Sequence, residues 1–143
     1  MIEGHIRAST VCVIRHEGRI LAAPGYAPTK GLFYRPLGGE INFGEHSRDA
    51  IARELREEIQ AEVTDLRCLG VIENFYTRYE VPQHELVVVY EAELADKSLY
   101  QRTSIQGQEE DEVFEVEWVS LLEFTSGRAT LFPEGLLDML VKP

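Results

Sequence analysis

Glu54, Glu57 and Glu58, in the run Arg53-Glu54-Leu55-Arg56-Glu57-Glu58, are the residues of this chain whose types and spacing best suit chemistry. Separations of three and four residues gather all three carboxylates on one side of a helix. Such a grouping is unfavourable by itself. Like charges four apart oppose helix formation by roughly a few tenths of a kcal/mol, and acids near a helix C-terminus meet the negative end of the macrodipole. A positive counter-charge is therefore needed. Arg53 and Arg56 flank the cluster and offer ion pairs, with Arg53 one turn before Glu57. A hard divalent cation is the stronger alternative: Mg²⁺ takes oxygen ligands, keeps several waters and is usually shared with substrate phosphates. For an arbitrary helix a solvated acidic face with internal salt bridges would be preferred, and the residues upstream decide against it.

These carboxylates need a helix and a loop to position them. The helix is expected over about Ser47 to Ile59, with Ser47 as the N-cap candidate. Ile51, Leu55 and Ile59 recur every four residues and form an apolar stripe that should face a sheet. Before the helix, Gly38 and Gly39 are expected to turn the chain sharply and present main-chain groups to a ligand, and Gly44 gives similar freedom at the helix entrance. A glycine pair alone is weak evidence. Its fixed register with the helix is stronger.

Gly39, Glu45 and Arg53-Glu54-Leu55-Arg56-Glu57-Glu58 resemble the Nudix box, G-x5-E-x7-R-E-U-x-E-E-x-G-U with U aliphatic, and every spacing matches through Glu58. Two departures are visible. Gln60 stands where the pattern has glycine, followed by the small Ala61, and Leu37 separates Pro36 from the glycine pair that proline commonly precedes directly. Glutamine can take the left-handed cap at a cost of about 1 kcal/mol. The resemblance implies a metal-dependent hydrolase of diphosphate linkages in nucleoside diphosphate derivatives, using Mg²⁺ or Mn²⁺. By position, Glu54, Glu57 and Glu58 match its metal-binding carboxylates and the Gly39 carbonyl a frequent backbone ligand. Glu45 and Arg53 match residues that support the catalytic site. The family also often takes a further carboxylate from a later acidic segment, which here makes Glu109, Glu110 or Glu112 a candidate. Arg35, just upstream, could hold a phosphate, or pair with the acidic box.

Bulk properties agree. The chain has 143 residues and 44% hydrophobic content, room for one domain with a proper core, and is expected to form a single domain over 1–143. A net charge of −11 argues against nucleic acid or anionic membrane as partners, without excluding a nucleotide substrate brought in by metal ions. No apolar run approaches the ~20 residues of a membrane span and no signal-peptide pattern opens the chain, so a cytoplasmic location is expected. Cys12 and Cys68 read as buried small hydrophobes rather than a disulfide.

Along the chain, residues 5 to 15 read as a strand, His16-Glu17-Gly18-Arg19 as a tight turn, and Ile20 to Ala23 as the returning strand. Pro24 to Gly31 reads as a loop, in which Tyr26 and Lys30 could meet a base or a phosphate, and Leu32 to Pro36 as a short strand. Val63 to Tyr76 is expected to give one or two strands with Leu66, Cys68 and Val71 inward. Gln83 to Leu94 is the clearest strand, and the segment from Glu73 to Tyr79 has a composition suited to a pocket. His84 and Glu85 are adjacent on that strand and should point to opposite faces. Asp96 to Glu112 reads as a long polar loop, and Val113 to Val119 as a strand with Phe114, Val116 and Trp118 on one face. Ser120 to Glu123 has capping-box spacing before a short helix, and Leu136, Leu137 and Leu140 mark a closing helix.

This order predicts a mixed β-sheet packed between helices, the α/β/α sandwich that the resemblance also implies. Two functional classes follow: a pyrophosphohydrolase acting on a (d)NTP, nucleotide sugar or ADP-ribose, and a catalytically silent domain of the same fold that binds a nucleotide or a protein. The intact carboxylate set favours the first. An isoprenoid diphosphate isomerase is a third, weaker reading, and homodimerisation is common in the family.

Overall fold

The computed structural model describes residues 4–27 and 31–141. Its first strand, β1 (Ile6–His16), runs through the centre of the molecule. On one side it pairs in parallel with β6 (Val81–Leu94), and on the other antiparallel with β4 (Leu37–Glu40), before turning into β2 (Arg19–Ala27). Beyond β6 lies β5 (Val63–Arg78), and the main path continues from β2 through β3 (Gly31–Arg35) to β9 (Thr130–Leu131). The hairpin of β7 (Ser104–Glu109) and β8 (Glu112–Ser120) joins along β2. The sheet is mixed and helices cover both faces: the fold is an α/β/α sandwich.

Alternation along the strands divides the core in two. Val11, Val13, Val87 and Val89 pack on one face with Phe124 of α2 (Leu121–Thr125) and with Leu136 and Leu140 of α3 (Leu136–Val141). Cys12, Ile14, Tyr90, Ala92 and Leu94 pack on the other face against Ile51, Leu55 and Ile59 of α1 (Ser47–Ile59), as the four-residue stripe required. Among the described residues no helix is long and apolar enough to cross a membrane.

Several expectations are met in detail. Glu17 and Gly18 take positive φ, 52° and 77°, and close the β1–β2 hairpin. Phe114, Val116 and Trp118 lie together on the α1 side. Gln60 adopts the left-handed cap at φ 52° and ψ 38° and ends α1 where the helix was expected to stop.

Others are corrected. The N-cap of α1 is His46; Ser47 lies inside the helix, and its hydroxyl is hydrogen-bonded to the Tyr90 hydroxyl at 2.7 Å. Pro24 to Ala27 do not form a loop but continue β2, because beyond Ala22 this strand is paired with β3 alone and proline's missing N–H breaks no central ladder. Lys30 lies outside the described residues. Gly38 and Gly39 make no turn; they are strand residues of β4 opposite Val11 and Thr10. β5 is one strand whose register shifts between Thr64 and Arg67 and again between Cys68 and Gly70. These irregularities leave Cys68 exposed and turn Ile72 and Asn74 inward in place of Val71, which is 57% exposed. The expected loop from Asp96 to Glu112 contains a 3₁₀ turn (Lys97–Gln101) and strand β7. Ser120 caps α2 through the Leu122 amide, while Glu123 pairs with Arg128 instead of closing a capping box.

Candidate active site

The stripe that seats α1 on the sheet also fixes the orientation of its acids. With Leu55 fully buried, Glu54 and Glu58 lie toward β4, and Glu58 is only 7% exposed. The glycines make this approach feasible. A Cβ on Gly38 would lie 2.0 Å from the Thr10 carbonyl oxygen, and one on Gly39 would lie 2.4 Å from Cδ of Glu54. The bare backbone therefore comes against the carboxylates, and the Gly38 amide donates to Glu58 Oε1 at 3.2 Å.

Arg53 is the organising cation. Its Nε and Nη2 donate to the two oxygens of Glu45 at 2.8 and 3.0 Å, Nη1 donates to Glu54 at 3.0 Å and Glu57 at 3.1 Å, and Nη2 also reaches the Glu40 carbonyl at 3.1 Å. This uses the planar fork of guanidinium, a geometry that lysine lacks. Glu45 also accepts from the Asn42 amide at 3.1 Å, which closes the loop before the helix, and Gly44 takes φ 85° inside that loop.

The electrostatics separate supporting from strained carboxylates. Hydrogen bonds from Arg53, and then from the Asn42 backbone, hold the Glu45 carboxyl down to about 2. The same pairing with Glu45 raises the Arg53 guanidinium further. Burial pushes Glu58 up to about 8, with the negative charges of Glu54 and Glu109 adding to it. Burial also raises Glu54, against the opposing pull of Arg53, and Glu57 and Glu109 add repulsion. Glu57 is exposed and held by Arg53. Two partly desolvated carboxylates thus repel each other where the fold brings backbone against them, a pattern found at functional sites.

Of the later acids, Glu109 at the end of β7 acts electrostatically on both Glu54 and Glu58. Glu110 takes φ 52° in the hairpin turn, and Glu112 opens β8 opposite Glu109; both are exposed. Arg35 at the end of β3 opposes the rise of Glu58 by its charge. The donor set is all oxygen and excessively negative, which suits a hard divalent cation. As the side chains stand, no three His, Cys, Asp or Glu among the described residues are grouped so as to hold a metal ion.

Beside this site is a cleft of about 450 Å³ lined by Ser9, Phe33, Arg35, Asn74, Tyr76 and Glu85, among others. Asn74 and Tyr76 bring part of the expected aromatic segment into it, while Phe75 stacks on His84 and Tyr79 is 86% exposed. Tyr26 is also exposed, at 74%. His84 and Glu85 point to opposite faces: His84 pairs with Glu73, and Glu85 is buried. The buried Asn74–Glu85 pair was not singled out from sequence. Its trace is a glutamate preceding an apolar strand run, which acquires meaning only when β5 places Asn74 opposite it. A more open recess of about 590 Å³ is lined by Arg15, Arg67, Glu91, Lys97 and Tyr100, where Glu91 pairs with both arginines.

The NUDIX domain model matches residues 4–139. A 94-residue stretch, 61% of this chain and 58% of the relative, is 35% identical to the low-salt glycan biosynthesis protein Agl8 of Haloferax volcanii. Among solved structures, a NUDIX hydrolase from Nitrosomonas europaea superposes with a TM-score of 0.67 at 14% identity, covering 95% of this chain and 86% of that one. The MutT NUDIX hydrolase from Burkholderia pseudomallei gives 0.62 at 23% identity, covering 82% and 84%. The MutT protein from Methanosarcina mazei Go1 gives 0.60 at 23%, covering 97% and 93%. At these identities the structures speak for the fold, and the domain match over nearly the whole chain speaks for descent: the chain belongs to the NUDIX family.

Proposed function

We propose that this protein is a metal-dependent pyrophosphohydrolase that cleaves a diphosphate linkage in a nucleoside diphosphate derivative. The observation that carries this reading is the mutual repulsion of Glu54, Glu58 and Glu109 beside the bare glycine backbone of β4. Glu54, Glu57 and Glu58, with Glu109 and the Gly39 carbonyl, are the groups that would hold Mg²⁺ or Mn²⁺. Bound there, the ion would neutralise charge on the substrate phosphates and acidify an attacking water. The protein's own contribution is positioning. Gly38 orients Glu58, Arg53 fixes Glu54 and Glu57 while Glu45 fixes Arg53, and Arg35 is available to a phosphate oxygen. Glu110 and Glu112 lie exposed on the neighbouring hairpin, beside Glu109.

The alternative is a domain of the same fold that binds a nucleotide or a protein without turnover. One experiment separates the two readings. The protein and its Glu58→Gln variant are incubated with nucleoside triphosphates, nucleotide sugars, ADP-ribose and dinucleoside polyphosphates, with Mg²⁺ or Mn²⁺ and with chelator. Nucleotide sugars belong in the panel because the relative from Haloferax volcanii is named for glycan biosynthesis. Metal-dependent cleavage that falls by orders of magnitude in the variant establishes the hydrolase; nucleotide binding without cleavage anywhere in the panel establishes the binding domain.

A further inference from the structure

β5 ends the main path of the sheet beyond β6, and among the described residues no strand pairs with its outer side. The other strands paired on one side only are short: β9 has two residues, β4 four, and β7 six, running into the acidic turn. β5 has 16. Such an edge presents a row of unpaired N–H and C=O groups, which proteins ordinarily blunt with charge, proline or bulges. The first part of β5 is blunted in this way. Asp65 takes φ 56° and Gly70 φ 146°, and the register shifts between Thr64 and Arg67 and between Cys68 and Gly70 twist the strand away from a regular edge. From Val71 to Arg78 the edge is open. Here β5 pairs with β6 residue for residue, holds no proline or lysine, and exposes Val71 and Phe75, the latter by 63%.

We propose that this open edge is the interface of a homodimer, in which β5 pairs antiparallel with β5 of a second copy across a two-fold axis at Phe75. Charge favours a copy of the same chain at this place. With a net charge of −11 two copies repel each other over most of their surfaces, but the stretch from Leu69 to Tyr79 carries only Glu73 and Arg78, which cancel, and Glu73 already faces His84 at 3.4 Å. Symmetry favours it as well. A two-fold perpendicular to the sheet keeps each face on its own side, so that residues directly opposite each other share a face. With the axis at Phe75 that ring meets its own counterpart, Glu73 stands opposite Thr77, and Val71 lies opposite Tyr79. An axis at Glu73 would set two carboxylates against each other, and one at Asn74 would set Glu73 against Phe75.

The area is of the right size. Ile72 to Arg78 offer about 24 Å of strand edge. With Phe75 and Tyr79 at about 150–250 Å² for each aromatic side chain, roughly 600–800 Å² is covered per copy, close to the half-share of a standard stable interface. The same face continues inward through exposed apolar side chains: Ile6 lies in one row with His84 and Phe75, and Leu86 is next to that row on β6. Asn74, Tyr76 and Thr77 of the pairing segment line the 450 Å³ cleft. The second copy therefore backs the outer wall of each cleft and joins the two through one continuous sheet.

Analytical ultracentrifugation of the full chain over a wide range of concentration tests this, on the wild type, Val71→Lys, Phe75→Lys, and Phe75→Cys combined with Cys68→Ser. The wild type should sediment at twice the monomer mass. Each lysine variant, folded by circular dichroism, should raise the dissociation constant at least about tenfold, because the open edge acquires a charge. Phe75→Cys should lock the dimer through a disulfide on mild oxidation, since the axis brings the two thiols together and the remaining Cys12 is buried. Hydrogen exchange needs no variant: amides from 71 to 78 should exchange more slowly as the wild-type concentration rises. A wild type that stays monomeric, lysine variants that dimerise as tightly as wild type, or exchange in this segment that ignores concentration overturns the proposal, and a dimer that Phe75→Cys fails to lock overturns the axis at Phe75. None of these readouts involves metal or turnover, so the hydrolase reading can fail while the dimer stands.

Discussion

Strand β4 passes so close to α1 that a Cβ added to Gly39 would lie 2.4 Å from the carboxylate carbon of Glu54. Gly38, its neighbour, faces a different obstacle, the backbone of Thr10, with 2.0 Å to the carbonyl oxygen. The two positions should therefore fail differently. In Gly39→Ala the flexible end of Glu54 can swing aside, so the fold should survive with a midpoint of thermal unfolding within a few degrees of wild type, while turnover falls at least about tenfold through misplacement of Glu54. In Gly38→Ala nothing flexible can yield, the β1–β4 ladder must open, and thermal unfolding should shift down by many degrees. Melting curves and turnover on both variants check this; equal thermal losses would show that the glycines serve only the strand pairing.

Glu58 ties stability to pH with a definite sign. Its folded value of about 8 lies above the ordinary 4.5, so the fold favours the protonated acid. Below 4.5 this contribution is fully present; as pH rises from 4.5 through 8 it is lost, because the unfolded chain releases its proton first. Glu58→Gln mimics the neutral form and can keep an acceptor for the Gly38 amide. In the metal-free protein the variant should therefore melt no higher than wild type near pH 4.5 and several degrees higher at pH 8 to 9. Added Mg²⁺ should narrow that gap by stabilising the wild type more. A gap that is flat across pH would show that burial does not strain this carboxylate.

The site was legible in sequence where local spacing determines geometry, and illegible where strands from distant segments meet. Residues 53 to 58 act through helical periodicity, so Glu54 and Glu58 could be placed together from their numbers alone. Gly38 and Gly39 were identified as exceptional for the wrong reason: composition suggests a turn, but only the proximity of β1 and α1 reveals that the requirement is space. Cys68 and Val71 were turned the wrong way because the register shifts of β5 leave no mark in a period-two pattern. Asn74 and Glu85, eleven residues apart, meet only through the register of the β5–β6 hairpin, which composition does not reveal.

Arg53 makes a separate prediction, because one side chain serves four carbonyl or carboxylate partners. Lysine keeps the charge and loses the fork. Arg53→Lys should cost roughly 1–3 kcal/mol of stability and lower turnover, since Glu54 and Glu57 lose their common anchor. Its clearest signature is Glu45. Held down to about 2, this carboxyl contributes stability that is complete above the ordinary 4.5 and is lost as pH falls through about 2. A carbon-detected NMR titration should give a Glu45 midpoint near 2 in the wild type and close to the ordinary carboxylate range in Arg53→Lys. An unmoved midpoint would assign the depression to the Asn42 amide instead.

Gln60 offers substitutions that probe the helix end without touching the chemistry. It holds φ 52° and ψ 38° as the helix cap, with its amide donating to Arg56 O at 3.0 Å and the Ala61 amide reaching Leu55 O at 3.4 Å. A side chain in the left-handed region crowds its own carbonyl, at a cost of roughly 1 kcal/mol that glycine avoids. Against this, glycine loses more freedom on folding, by about 0.4–1 kcal/mol, and the 3.5 Å contact from Gln60 Nε2 to the Glu57 carbonyl disappears. The two effects nearly offset, so Gln60→Gly should move the thermal midpoint by no more than about 3 °C. Gln60→Val is the sharper test, because a β-branched side chain tolerates this conformation least. It should destabilise by more than about 1 kcal/mol, and its turnover under stabilising conditions should match wild type, because Gln60 is exposed beyond the last acid of the helix. A large fall in turnover in a folded Gln60→Val protein would mean that the end of the helix, and not only its acidic face, shapes the site.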